Sequence, residues 1–212
     1  MPAGTGPPVR RRCLTSGRCV CSISHMSAAG TTPRSTAEAQ RARITAAAVR
    51  VFAEKGYHAT PVADVAAEAG VSPAYVFRLF PGKIGVFVAA VADTYTRVAE
   101  ALAEAGASSA DTDPAARLTA MTSAYIDLVA DRDLIMMQAQ AQSASSVPEI
   151  REAVRAGLGE VVRVVERASG AAPADVQRFV AYGQLCHLIV QTDLGSVPAS
   201  WARSVTAGIR HH

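Results

Sequence analysis

Apolar residues recur along this chain at the three- and four-residue spacing of an α-helix, and alternating runs typical of strands are nearly absent. Proline and hydroxyl residues precede several of these stripes, and Gly follows others, as at helix ends. The pattern predicts an all-α protein of about nine helices. We expect them over residues 37–55, 61–69, 73–80, 83–105, 114–130, 132–145, 148–169, 174–194 and 198–208.

The second and third predicted helices have the spacing of a helix-turn-helix unit. Ala66 stands four residues before Gly70 and Val76 six residues after it, which supplies a small crossing residue, a turn glycine and an inward apolar residue. Thr60 and Ser72 precede the two helices, and we expect each hydroxyl to cap the helix that follows. The spacing therefore predicts a unit that docks on DNA.

The third predicted helix divides into an inner and an outer face. Val76 and Leu79 point inward with Phe80, and the outward residues lie near the N-terminal end, where a recognition helix reads the major groove. Arg78 suits a bidentate contact to guanine or a phosphate, and Tyr75 can donate its hydroxyl or contact a thymine methyl group. The predicted DNA-binding residues, including hydroxyls and a lysine at helix starts suited to phosphate, are Thr60, Ser72, Pro73, Ala74, Tyr75, Arg78 and Lys83.

Three sequence blocks in this region, FAEKGY, TPVADVAAEAGVS and FRLFPGK, carry a resemblance to a known family. Residues 39–90 are similar to the DNA-binding domain of the TetR family of transcriptional repressors. The resemblance implies a homodimer of nine-helix subunits that binds a palindromic operator. The C-terminal two thirds resemble the family only in helix number and length, as expected where each member has its own ligand.

Two positions depart from the family pattern. The family usually carries Tyr where this chain has Phe77, and the hydroxyl of that Tyr touches a phosphate. Phe77 lacks the hydroxyl, so we expect it only to pack, with Tyr75 taking over part of the role. The family also often carries His at the position of Leu79.

Charge is distributed unevenly, although the formal net charge is only +3. Residues 1–33 hold four arginines and no acid, residues 34–83 hold seven basic and four acidic residues, and residues 84–212 hold ten basic and fourteen acidic residues. A basic front and an acidic rear favour an anionic partner for the front alone. We expect no membrane span, since no apolar run reaches about 18 residues.

The N-terminal segment, residues 1–36, is expected to be a disordered basic arm, because Pro, Gly, Ser and Arg dominate it. Its first part is interpreted as a start-site extension before Met26. The cysteine pattern is not that of a disulfide framework, which favours the cytoplasm. A metal site is not expected, because the spacing of the N-terminal candidates, Cys13, Cys19, Cys21 and His25, fits no closed zinc site.

Residues 37–82 are thus assigned to DNA binding, and residues 83–212 to ligand binding and dimerisation. Helices 148–169 and 174–194 are expected to pair across a two-fold axis, because the second is apolar on two faces. The candidate pocket residues are Met121, Tyr125, Met136, Met137, Phe179 and His187, although each also fits a plain core position.

No nucleophile elbow, phosphate loop or HExxH motif occurs in the sequence, and no cofactor or enzymatic activity is expected. Cys186 and His187 are adjacent on a helix and therefore point about 100° apart, which prevents direct pairing. Two interpretations stay open: a repressor released by a small-molecule effector, and a constitutive DNA-binding regulator whose C-terminal domain only dimerises.

Overall fold

The computed structural model describes residues 33–110, 112–128 and 130–209, and all regular secondary structure within these ranges is helical. The predicted all-α fold with a helix-turn-helix at the front is confirmed. The helices are α1 Pro33–Ala59, α2 Val62–Glu68, α3 Pro73–Leu79, α4 Gly82–Ser108, α5 Pro114–Leu128, α6 Arg132–Ser143, α7 Pro148–Ser169, α8 Pro173–Gln191 and α9 Ser200–Thr206, with a 3-10 turn at Leu194–Ser196.

The largest departure from the predicted bounds is in α1. The helix begins at Pro33 rather than residue 37, so residues 33–36 belong to α1 and not to the arm. The predicted end at residue 55 is also wrong, because Gly56 forms a kink with φ 74° and ψ 174° and helical structure continues to Ala59. The other predicted ends lie within three residues of those observed.

The core is organised around α4, which packs against α1, α5, α6 and α7. An aromatic cluster joins α1 to α4: the rings of Phe52 and Phe87 meet edge-on with centroids 4.8 Å apart, and Tyr57 approaches Phe87 at 5.0 Å. Because α1 also packs along α6, the DNA-binding helices and the C-terminal helices form one compact unit from Pro33 onward.

No single helix in the described ranges is both long and apolar enough to cross a membrane. Together α3 and α4 reach that length and hydropathy, but they meet at a bend of 69°. The apolar residues of α4 are mostly buried in the helical core, as Val91, Val98 and Leu102 show.

Candidate functional site

The turn between α2 and α3 is built by backbone hydrogen bonds around Gly70. The amide of Gly70 donates to the carbonyl of Ala67 at 3.0 Å, and the amide of Val71 donates to that of Ala66 at 2.9 Å. Gly70 adopts φ +63°, a left-handed conformation that glycine reaches at little cost. Ala66 and Val76 are buried on the facing sides of the two helices, as their spacing predicts.

The two predicted caps have different outcomes. Ser72 caps α3 as expected, since its hydroxyl accepts a hydrogen bond from the amide of Tyr75 at 3.2 Å. Thr60 does not cap α2; that position belongs to Pro61, which makes no side-chain cap. Because α1 runs on to Ala59, Thr60 is buried in the turn, and its hydroxyl donates to the carbonyl of Gly56 at 2.6 Å. That side chain is therefore not presented to an outside phosphate.

The outer face of α3 presents Pro73, Ala74 and Arg78 to solvent, while Val76 is fully buried on the opposite side. The guanidinium carbon of Arg78 lies 4.4 Å from the centre of the Tyr75 ring, a cation–π contact that positions both side chains. Tyr75 is half-buried and one face of its ring is covered by Arg78. The stack leaves the guanidinium on an exposed side chain able to approach a base or phosphate.

Phe77 does not pack as expected. Its side chain is 53% exposed on the flank of α3 opposite Tyr75. Leu79 is half-buried and packs against the core, in agreement with its predicted inward orientation. The outer surface of α3 therefore contains an exposed aromatic ring that the sequence predicts to pack.

Lys83 holds the start of α4 against α1. Its ammonium group donates to the carbonyl of His58 at 3.1 Å and lies 4.9 Å from the centre of the Tyr57 ring. Partial burial lowers the pKa of Lys83. The structure thus gives Lys83 contacts within the fold, at the same surface where a phosphate contact is predicted.

A cavity of about 40 Å³ lies among α4, α5, α6, α7 and α8. Two of the predicted pocket residues, Tyr125 and Phe179, line it. No lysine, arginine, aspartate or glutamate does so. The lining residues are Tyr95, Val98, Leu102, Tyr125, Gln138, Leu158, Val161, Phe179, Val180, Gly183 and Gln184.

Tyr125 and His187 form a buried polar pair beside this cavity. The Tyr125 hydroxyl lies 2.9 Å from Nε2 of His187, whose side chain is 3% exposed. Burial lowers the pKa of His187 to about 4 and raises the pKa of Tyr125. Both groups are therefore neutral near pH 7, and Nδ1 of His187 has no hydrogen-bond partner among the residues described.

The other predicted pocket residues lie outside the cavity lining. Met121 and Met137 are fully buried core residues, Met136 is partly buried against the core, and His187 stands behind Tyr125. Sequence reasoning missed the cavity positions of Tyr95 and Gln184. An amide among the apolar residues of α8 was the available signal for Gln184; Tyr95 had none, because it falls on an ordinary apolar stripe.

Among the described residues no group of three or more His, Cys, Asp or Glu side chains is arranged to hold a metal ion. The four N-terminal candidates, Cys13, Cys19, Cys21 and His25, fall outside the described ranges, as does the predicted arm before Pro33.

Residues 44–90 match the sequence model of the family of bacterial regulatory proteins, tetR family. The matched segment begins within α1 and ends within α4, so it contains the whole helix-turn-helix unit and the outer face of α3. None of the curated protein sequences matches the chain.

Solved structures share the fold over most of the chain. The regulator FadR from Bacillus subtilis, solved with stearoyl-CoA, is 22% identical with a TM-score of 0.62, over 80% of this chain and 99% of that one. FadR from Bacillus halodurans is 19% identical with a TM-score of 0.62, over 82% and 97%. A TetR-family regulator from Agrobacterium tumefaciens is 17% identical with a TM-score of 0.62, over 81% and 94%. The chain therefore carries a tetR-family segment at residues 44–90 and shares the fold of these regulators over most of its length.

Proposed function

We propose that this protein is a homodimeric repressor that binds a palindromic operator and is released when a small molecule enters the cavity of the C-terminal domain. The observation that carries the proposal is the outer face of α3, where the Arg78–Tyr75 stack is presented beside Pro73 and Ala74. A helix-turn-helix dimer places two such faces in successive major grooves. A reducing cytoplasm is the expected location.

Exposed apolar side chains support the dimer. Tyr182 and Leu188 on α8 are 54% and 49% exposed, and Leu158 on α7 is also exposed. Ala181, Leu185 and Leu188 follow a helical i, i+4, i+7 spacing, which gives α8 an apolar stripe facing away from its own core. Pairing α7 and α8 of two subunits in a four-helix bundle covers this stripe.

The chemistry of the cavity indicates an uncharged, largely apolar ligand. Its polar side chains, Tyr95, Tyr125, Gln138 and Gln184, offer hydrogen bonds but no counter-charge. FadR from Bacillus subtilis was solved with stearoyl-CoA. An acyl chain suits the apolar lining here, whereas the phosphates of CoA need cations that this cavity lacks.

The size of the cavity suggests how effector binding is linked to DNA binding. A sealed site that holds benzene measures about 150 Å³. The pocket here holds about 40 Å³ and opens to solvent at Leu158 and Gln184, so an effector of that size would widen it or extend through this opening. A ligand that fits only the widened state shifts the population toward it. Because α4 lines the cavity and follows α3 directly, widening displaces the helices that carry the DNA-binding faces.

The small volume also favours a second candidate, a constitutive DNA-binding regulator whose C-terminal helices only dimerise. Substitutions at Gly183 can distinguish the two candidate functions. Gly183 lines the cavity, and a Cβ at this position would make ordinary contact with Tyr125 at 3.8 Å. Gly183→Leu fills the cavity, and Gly183→Ala is the matched control. We would measure binding to DNA upstream of the protein's own gene by fluorescence anisotropy at two salt concentrations.

The repressor account expects Gly183→Leu to weaken selective DNA binding, while Gly183→Ala leaves it near wild type. Equal affinities for both folded variants favour the constitutive candidate.

For the dimer, Leu188→Asp is expected to yield monomers in sedimentation, and Ser204→Asp on α9 is not. A dimeric Leu188→Asp protein would argue against the α7–α8 interface.

A further inference from the structure

Phe77 is an exposed aromatic side chain in the DNA-binding region, and neither packing nor capping accounts for it. It is 53% exposed, and the other exposed large apolar side chains in the described ranges lie on C-terminal helices: Leu158, Tyr182, Leu188 and Trp201. Moving a Phe ring from water into an apolar contact is favourable. An outward Phe on the helix expected to enter a groove therefore suggests that the ring is buried by the partner.

The position of Phe77 on α3 limits what it can contact. Ala74 lies one turn before Phe77 and Arg78 and is close to both, whereas Phe77 itself points about 100° away from the buried Val76 on one side and from Arg78 on the other. Ala74 is small and leaves the ring accessible from the N-terminal direction. When this side of α3 lies in the major groove, the Phe77 ring is directed at base edges or at the adjoining strand.

The chemistry of the Phe77 side chain favours contact with a base edge over contact with a phosphate. Phe77 has no donor or acceptor, so it cannot hold a phosphate as a tyrosine hydroxyl does. The apolar feature of the major groove is the C5-methyl group of thymine, and Phe is among the side chains that contact it. Tyr75 is a poorer candidate for that contact than the sequence suggested, because Arg78 covers one face of its ring. Arg78, the next residue along the exposed surface of α3, supplies the positive charge that draws this helix to DNA.

The geometry points to Phe77 as the reader of a thymine: its ring packs on the C5-methyl group of one thymine in each operator half-site and specifies a T·A pair there. This inference rests on the proposed operator binding. It converts the position at which the family holds a phosphate into one that discriminates between bases.

The test uses a duplex selected from random sequence by the wild-type protein. Each thymine of a half-site is replaced in turn by deoxyuridine, which removes the methyl group and keeps the base pairing. At one position the wild-type affinity is expected to fall about four-fold, the effect of exposing one methylene-sized group, and about fifteen-fold when both half-sites are changed. Phe77→Ala is expected to bind the two duplexes equally.

Two controls separate this contact from folding. Phe77→Tyr keeps the ring and is expected to keep the discrimination between thymine and uracil. Because Phe77 is exposed, Phe77→Ala is expected to unfold at the wild-type temperature. Selective binding without any uracil-sensitive position, or with equal sensitivity in Phe77→Ala, overturns this inference alone. Absence of any selective DNA binding overturns the proposed function with it.

Discussion

The outer face of α3 and the cavity among the C-terminal helices use similar aromatic residues in opposite ways. On α3 a tyrosine stacks under an exposed arginine, and both are available to a partner. In the C-terminal domain Tyr125 is buried against His187, and both are neutral near pH 7. Changes at the first site should therefore alter binding with little effect on stability, whereas changes at the second should alter stability and its pH dependence.

The largest expected effect is at Arg78. Losing a bidentate base contact costs about 1–3 kcal/mol, or roughly 5- to 150-fold in affinity per half-site. Arg78→Ala is expected to reduce operator binding accordingly without lowering the unfolding temperature, because the side chain is exposed. Arg203→Ala removes an exposed arginine from α9 and is the charge-matched control. If both variants lose affinity equally, net charge alone explains the result and the role of α3 is contradicted.

The second effect concerns acid stability. The pKa of His187 is about 4 in the folded chain against an ordinary value of 6.5. The unfolded chain therefore binds the extra proton first, and stability falls as the pH drops from 6.5 toward 4, by up to roughly 3 kcal/mol. Urea unfolding across this range should show a steeper loss for wild type than for His187→Gln. Parallel profiles would show that His187 is not held neutral.

The third effect concerns the contact between α1 of the front domain and α6 of the C-terminal domain. Gly56 lies at the kink of α1, and a Cβ there would stand 2.6 Å from Oε1 of Gln140 on α6. Gly56→Ala is expected to destabilise the protein by about 1–3 kcal/mol through its left-handed φ, and further through this clash. Adding Gln140→Ala should relieve the clash and restore that part of the stability, but it should leave the backbone strain in place. Full recovery in the double variant would contradict the strained kink.

Sequence reasoning was most effective at the front of the molecule, where local rules decide the structure. The spacing of Ala66, Gly70 and Val76 and the cap at Ser72 are short-range features, and the structure shows them as expected. The prediction that Thr60 caps α2 is wrong, because the surroundings of Thr60 depend on how far α1 continues beyond Gly56. That continuation is decided by packing on α6, which the local sequence does not encode.

The cavity was harder to predict for the same reason. Five helices contribute to it, and their relative rotation determines which residues of an apolar stripe face inward. Met121 and Met137 are of a residue type that suits pockets, but their side chains are buried in the core. Tyr95 lines the cavity, although it lies on an apolar stripe of α4 that has no distinguishing feature. Composition therefore identified the domain that holds the cavity but only two of its lining residues, Tyr125 and Phe179.

The central claim is that the outer face of α3 selects a DNA sequence. The most direct test is selection from a random duplex pool by the protein from Met26 onward, in parallel with an Arg78→Ala, Tyr75→Ala variant. The account predicts that the wild type enriches an inverted repeat whose half-sites are one or more helical turns apart, and that the variant enriches none. Failure of the wild type to enrich any sequence, or enrichment of the same repeat by the variant, would contradict it.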